Sequence, residues 1–231
     1  RDLHSFPTRR SSDLVVDNSS FENNCAKNGG AIASDMVQII NSRFIENSAS
    51  YAGGALNIRT VIQIDNTNFT DNTATQFGGA ISVKDTILVT NSKFDGNEAE
   101  IGGAIDSSNE VTVEGCEFEE NIADYGGAIY SNNNLIVKDS KFLENSATNG
   151  GAILSRNNTY LNNSKFNKND AVSGGAIHSN NNVTVEDCEF SQNDADYGGA
   201  IYCNSVLNVE NSEFMENAAD YGGAILGLEE M

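Results

Sequence analysis

The sequence predicts an all-β chain, a single-stranded right-handed parallel β-helix: a solenoid of about nine coils of ~24 residues. Three observations predict it. A Gly-Gly pair followed by Ala and then Ile or Leu recurs at Gly29, Gly53, Gly78, Gly102, Gly126, Gly150, Gly174, Gly198 and Gly222, in steps of 24 with one step of 25. A second phrase, Phe-x-x-Asn-x-Ala, recurs between those pairs. Between the phrases lie short runs whose apolar residues alternate with period two, the pattern of a half-buried strand. A unit this small has no core of its own, so the units must stack into one continuous array.

One unit shows the reason for each element. After Gly126-Gly127-Ala128, Ile129 leads a short strand and Asn132-Asn133-Asn134 makes a polar turn of the kind Asn favours. Leu135-Ile136-Val137 follows, with Leu135 and Val137 pointing the same way. Asp139-Ser140-Lys141-Phe142 then carries a small residue and a Phe inward, and the stretch through Asn145 and Ala147 bends back to the next glycines. Three extended runs and three bends are expected per coil. Right-handedness follows from the preference of parallel crossovers. Leucine-rich repeats are excluded, since neither their Leu-x-x-Leu-x-Leu phrase nor a helix-compatible segment occurs.

Stacking gives the fixed letters physical roles. Phe21, Phe44, Phe69, Phe94, Phe118, Phe142, Phe166, Phe190 and Phe214 form an aromatic column along the axis. Asn24, Asn47, Asn72, Asn97, Asn121, Asn145, Asn169, Asn193 and Asn217 form an amide ladder at a bend, each side chain donating to one coil and accepting from another. The glycine pairs allow positive φ and close backbone approach. The letters leave open whether Ala or the following Ile faces inward. A row of exposed isoleucines would be an aggregation liability, which assigns Ile to the core. One-residue insertions fall just before the glycines, near Tyr51-Ala52 and Gln76-Phe77, where a corner can swell.

The ends and the composition set bounds. Residues 1–13 share neither period nor composition with the array and are expected to be a disordered or artefactual leader; residues 14–231 are the array, with its last coil incomplete. The segment has arginines but no apolar centre of a secretory leader. No run of about 20 apolar residues is present to span a bilayer as a helix. Asp and Glu exceed Lys and Arg by 33 to 13, for a net charge of −20. Such a surface repels polyanions, which argues against nucleic-acid binding and favours solubility of a sheet-rich rod. In an uncapped fragment, end-to-end or edge self-association is expected.

Residues with chemistry are few. Cys116 and Cys188 stand in a column otherwise filled by Ser or Thr, three units apart, roughly 14 Å at the spacing of stacked strands and too far to bridge. Cys25 and Cys203 have no partner in a neighbouring unit, so buried or half-buried free thiols are expected. His178 is the only histidine within the array and is read as an outward surface residue without a base–nucleophile partner. Glu110, Glu114, Glu117, Glu119 and Glu120, and the stacked Glu186/Glu210 and Glu189/Glu213, recur with Lys93, Lys138, Lys141 and Lys165 interspersed, which reads as a solvated charged face. Arg43, Arg59 and Arg156 fall in different columns, and the calcium-binding Gly-Gly-x-Gly-x-Asp phrase is absent. Asn-x-Ser/Thr acceptors at Asn18, Asn68, Asn157, Asn162 and Asn182 are what an Asn-rich chain produces by chance. No catalytic, cofactor-binding or metal site is expected.

A stripe beside the glycine corner is more suggestive. Phe77, Ile101 and Tyr125 precede the glycines on consecutive units, as do Tyr197 and Tyr221; just after the Ile lie Tyr130, Leu154, His178, Tyr202 and Leu226. Facing outward, the two columns would make aromatic and aliphatic ribs along one edge. The candidate ligand-contact edge is Phe77, Ile101, Tyr125, Tyr130, Tyr197, Tyr202 and Tyr221, suited to a cell-surface protein or a glycan.

Gly-Gly-Ala-Ile/Leu paired with Phe-x-x-Asn resembles the passenger repeats of chlamydial polymorphic outer membrane proteins. Asp-Tyr-Gly-Gly-Ala-Ile-Tyr at 124–130 and 196–202 is also similar to adhesin-like surface repeat proteins of methanogenic archaea and gut bacteria. The resemblance covers roughly residues 14–227. It implies a right-handed parallel β-helix displayed at the cell surface or secreted, adhesive and non-enzymatic, and it supplies no catalytic residues. The competing readings are a polysaccharide lyase or glycoside hydrolase on the same fold, and a stalk for a further domain.

Overall fold

Each repeat is one turn of a parallel solenoid. The structure is a computed structural model and describes residues 14–227, with the backbone alone at 61–62; the expected leader lies outside these residues. In a representative coil the strands are Ile129–Ser131, Leu135–Lys138, Lys141–Leu143 and Ser146–Asn149. That is one strand more than expected, because the stretch after the ladder Asn is itself extended and pairs coil to coil, Ala147 with Ala171 and Ala171 with Ala195. Every pairing between named strands is parallel, and equivalent residues lie in register, as with Phe94, Phe118 and Phe142.

The first two strands of each coil belong to one 16-stranded sheet, the Phe strands to a 9-stranded sheet, and the last strands to sheets of three and four. The large sheet is continuous because Ile32–Ile40 and Leu56–Asp65 run unbroken where later coils turn. In those later coils the turn carries a side-chain ladder of its own, Asn109 donating to Asp85 at 3.3 Å, Asn133 to Asn109 at 3.1 Å and Asn157 to Asn133 at 3.1 Å. Both insertions fall where expected: the register with the neighbouring coil shifts between Ala26 and Asn28, opposite Tyr51, and between Thr73 and Phe77, around Gln76. A further shift lies inside the long strand, between Val37 and Gln38.

The core is a set of columns. Phe rings stack at 4.7–5.0 Å with planes within 6° of parallel, from Phe21 to Phe214. Ala and Ile after the glycines are both buried, Ala128 and Ile129 at 0 % exposure. The corner bend turns consecutive residues inward, so the choice between them does not arise. Three corners per coil hold a left-handed residue: Asp139 (φ 49°), Glu144 (φ 54°) and Gly150 (φ 66°) in one case. At the closing corner the two glycines do different work. Gly126 supplies the positive φ, whereas a Cβ on Gly127 would overlap the carbonyl oxygen of Gly151 on the next coil.

Candidate binding trough beside the glycine corner

The Gly-Gly-Ala-Ile corner brings together side chains five residues apart, one just before the glycines and one just after the Ile. Ser173 and His178 meet this way, Oγ to Nδ1 at 3.0 Å. Stacking repeats the pair along the rod. Phe77, Ile101, Tyr125, Asn149, Ser173, Tyr197 and Tyr221 pair in register on one side. Ser82, Asp106, Tyr130, Leu154, His178, Tyr202 and Leu226 do so on the other. Between them runs a trough.

The candidate edge residues occupy the walls and floor of that trough. Tyr125, Tyr197 and Tyr221 are exposed, at 41, 42 and 60 %, and form its outer rib with the half-buried Phe77 and Ile101. Tyr197 and Tyr221 stack with centroids 5.3 Å apart and planes 7° from parallel. Tyr130 is not part of an exposed rib: with 5 % exposure it lies on the floor, as does Leu154, because the corner folds the preceding column over them. Its hydroxyl donates to Asn132 Oδ1 at 3.1 Å, and the Arg156 guanidinium lies 5.5 Å from its ring centre. Tyr202 is half-buried beneath Tyr197 and Tyr221, and these three with Ser173 and Leu226 line an apolar slot of about 330 Å³.

His178 differs from its sequence reading. It is half-buried, bonded to Ser173 on one nitrogen and to Asn180 Oδ1 at 3.2 Å on the other, and stacked on Tyr202 at 4.7 Å. Burial lowers its pKa and favours the neutral ring. Ser173 and His178 resemble a nucleophile–base pair in contact only. The neighbouring Gly174 and Gly175 amides already donate to Tyr197 O and Gly198 O, so neither is free to stabilise an oxyanion beside Ser173.

The sequence reading missed Asp106. It follows Ile105 where neighbouring coils carry Ser82 and Tyr130, and it faces the trough floor at 7 % exposure. Ser82 Oγ donates to its Oδ2 at 3.2 Å, and burial pushes the carboxyl up to about 7. The groove above it, about 490 Å³, is lined by Tyr51, Phe77, Ile101 and Tyr130 together with Asn57, Asn132, Lys84 and Arg156. A signal was present: this is the one unit whose Gly-Gly-Ala-Ile is followed by an acid.

Of the remaining carboxylates, six make ion pairs among the described residues, such as Lys93–Glu119 at 2.7 Å and Lys165–Glu189 at 2.6 Å. Glu186 stacks on Glu210 and Glu189 on Glu213. Cys116, Cys188 and Cys203 are buried free thiols, and burial pushes Cys116 up to about 11; Cys25 is exposed, against expectation. Among the described residues no three His, Cys, Asp or Glu side chains gather as metal ligands, and no helix is long and apolar enough to cross a membrane.

Residues 6–166 match the family described as the right-handed beta helix region. The chain belongs to the right-handed β-helix family. Residues 187–204 of this β-helix match the Chlamydia polymorphic membrane protein repeat, the unit containing Phe190, Asn193 and Gly198-Gly199. No curated protein and no solved structure gives a significant match to the β-helix.

Proposed function

We propose that this β-helix is a non-enzymatic, adhesin-like scaffold displayed at a cell surface or secreted, and that the trough is where it contacts a glycan or a protein. The β-helix fold and the polymorphic-membrane-protein repeat support a surface, adhesin-like protein in general terms. The observation that carries the finer reading is the exposed Tyr197–Tyr221 stack above an apolar slot. Exposed stacked aromatics offer flat apolar area at low entropic cost, which suits sugar faces and protein side chains alike.

The test is a glycan array, with purified extracellular-matrix proteins alongside, probed with the wild type and with the Tyr197→Ala/Tyr221→Ala variant. Specific binding that falls tenfold or more in the variant supports the trough; a blank wild type, or equal binding by both, removes it. The enzyme reading has one observation in its favour, since a carboxyl raised to about 7 is the trait of a general acid. Glycoside cleavage ordinarily needs a second carboxyl facing the first, and the other charged residues of that groove are Lys84 and Arg156. Reducing-sugar release from neutral and acidic polysaccharides, with and without calcium, discriminates the two.

A further inference from the structure

We propose that the groove over Asp106 is a subsite for a neutral pyranose, whose hydroxyls hydrogen-bond to the Asp106 carboxylate while Tyr51 and Phe77 bear on its apolar ring face. The inference rests on the reading of the trough as a contact surface and adds the ligand class and the residue that selects it.

Asp106 is the reason to look here. A carboxyl at 7 % exposure in the middle of a strand normally has a cation or several donors around it; this one receives a single hydrogen bond among the described residues, from Ser82. The rest of its accepting capacity faces the groove. The ionisable groups sharing that groove are Tyr51 in its aromatic wall, Tyr130 on the next coil, Lys84 two residues beyond Ser82, and Arg156, which is engaged over the Tyr130 ring. None forms an ion pair with Asp106 among the described residues.

The walls decide between ligands. Tyr51 is 43 % exposed and meets Phe77 edge-on, centroids 5.6 Å apart, so one side of the groove is an aromatic corner. The other side carries the amides of Asn57 and Asn132, which both donate and accept. Flat apolar surface beside clustered polar groups matches a sugar ring, with its apolar face and hydroxyl rim. A lysine or arginine side chain from a partner would meet the like charges of Lys84 and Arg156 in the same groove. An acidic sugar would bring its own charge against the Asp106 carboxylate. A neutral polyol meets neither obstacle.

The whole chain is titrated calorimetrically with maltohexaose, cellohexaose and mannohexaose at pH 8 and pH 5. The expected result is binding of at least one at pH 8 and weaker binding at pH 5, where the carboxyl is protonated and loses accepting capacity. Asp106→Asn, nearly isosteric and still able to accept from Ser82, should bind at least tenfold more weakly at pH 8 and lose most of the pH dependence. Tyr197→Ala/Tyr221→Ala, four coils away, should keep the pH dependence whatever its effect on affinity. Equal binding by Asp106→Asn and wild type at pH 8 overturns the subsite; if the tyrosine variant loses binding in that same experiment, the trough reading survives without it. Failure of all three oligosaccharides to bind overturns the neutral-pyranose assignment, while protein contacts on the matrix panel would still uphold the trough.

Discussion

Asn121 gives two donors to one oxygen of Asn145: its backbone N–H reaches Oδ1 at 3.0 Å and its side-chain Nδ2 reaches the same atom at 2.9 Å. Nδ2 also donates back to Phe94 O at 3.0 Å, so one amide ties together three coils. The pattern repeats from Asn47 to Asn193 with the interior members at 0 % exposure.

Removing one rung tests what the ladder contributes. Asn145→Ala leaves the Asn121 backbone N–H and one Asn121 side-chain amide hydrogen without the oxygen they share, and removes one donor from the Phe118 carbonyl, in a dry interior. Each orphaned group costs roughly 1–3 kcal/mol, so the variant should lose about 3 kcal/mol or more in urea denaturation. Asn217→Ala, at a half-buried site, should lose clearly less. Equal losses at the two positions would mean that burial is not what gives the ladder its strength.

Two glycines separate conformation from space. Gly127→Ala puts a Cβ against the Gly151 carbonyl oxygen and the Ser146 backbone, neither of which can move without parting the coils. It should abolish soluble folded protein or lower the melting temperature by more than any single surface change. Gly115 also has positive φ, at 64°, but its nearest neighbour is the Asn91 side chain, and the equivalent residue in other coils is Asn or Asp. Gly115→Asn should therefore change stability by no more than about 1 kcal/mol, since Asn tolerates this conformation and restricts the unfolded chain. Circular dichroism melts of both variants decide it.

These cases show which features the letters carried. A column of identical side chains is visible as a period, so the Phe and Asn stacks and the glycine corner were legible. What a corner does to its neighbours was not. The bend turns both Ala128 and Ile129 inward and covers Tyr130, although strict alternation would have left one of each pair outside. Left-handed positions filled by Glu144, Lys168 and Gln192 were equally hidden, because coil closure imposes their φ against their own preference. Asp106 and the Ser173–His178–Asn180 chain depart from the repeat at single coils, and their meaning came from which side chain the corner placed opposite.

The aromatic column makes a third prediction. Phe142 is 1 % exposed and sits between Phe118 and Phe166 at 4.8 and 4.7 Å. Phe142→Ala should cost about 3–5 kcal/mol, because parallel coils held by backbone hydrogen bonds cannot collapse onto the void. Phe142→Leu should recover a good part of that loss. Phe214→Ala, at the half-buried end of the column, should cost less than Phe142→Ala. Denaturant midpoints for the three variants, with unchanged slopes, are the measurement.

Asp106 links the trough to stability through pH. Its carboxyl moves from 3.8, its ordinary value, to about 7 in the fold, with burial as the main cause and the Ser82 hydrogen bond opposing it. A raised carboxyl favours the protonated folded state. Its stabilising contribution is therefore complete below about pH 4, declines as pH rises towards 7, and is absent above. The full swing is on the order of 4 kcal/mol. Asp106→Asn stays neutral throughout, so wild type and variant should have similar stability at pH 4, with the variant the more stable at pH 8. His178, whose pKa is lowered, contributes stability that is lost as pH falls below its ordinary value, but it is present in both proteins and cancels in the comparison. Urea midpoints at pH 4, 6 and 8 check the prediction; a wild-type-to-variant difference independent of pH would show that the carboxyl is not held protonated by its burial.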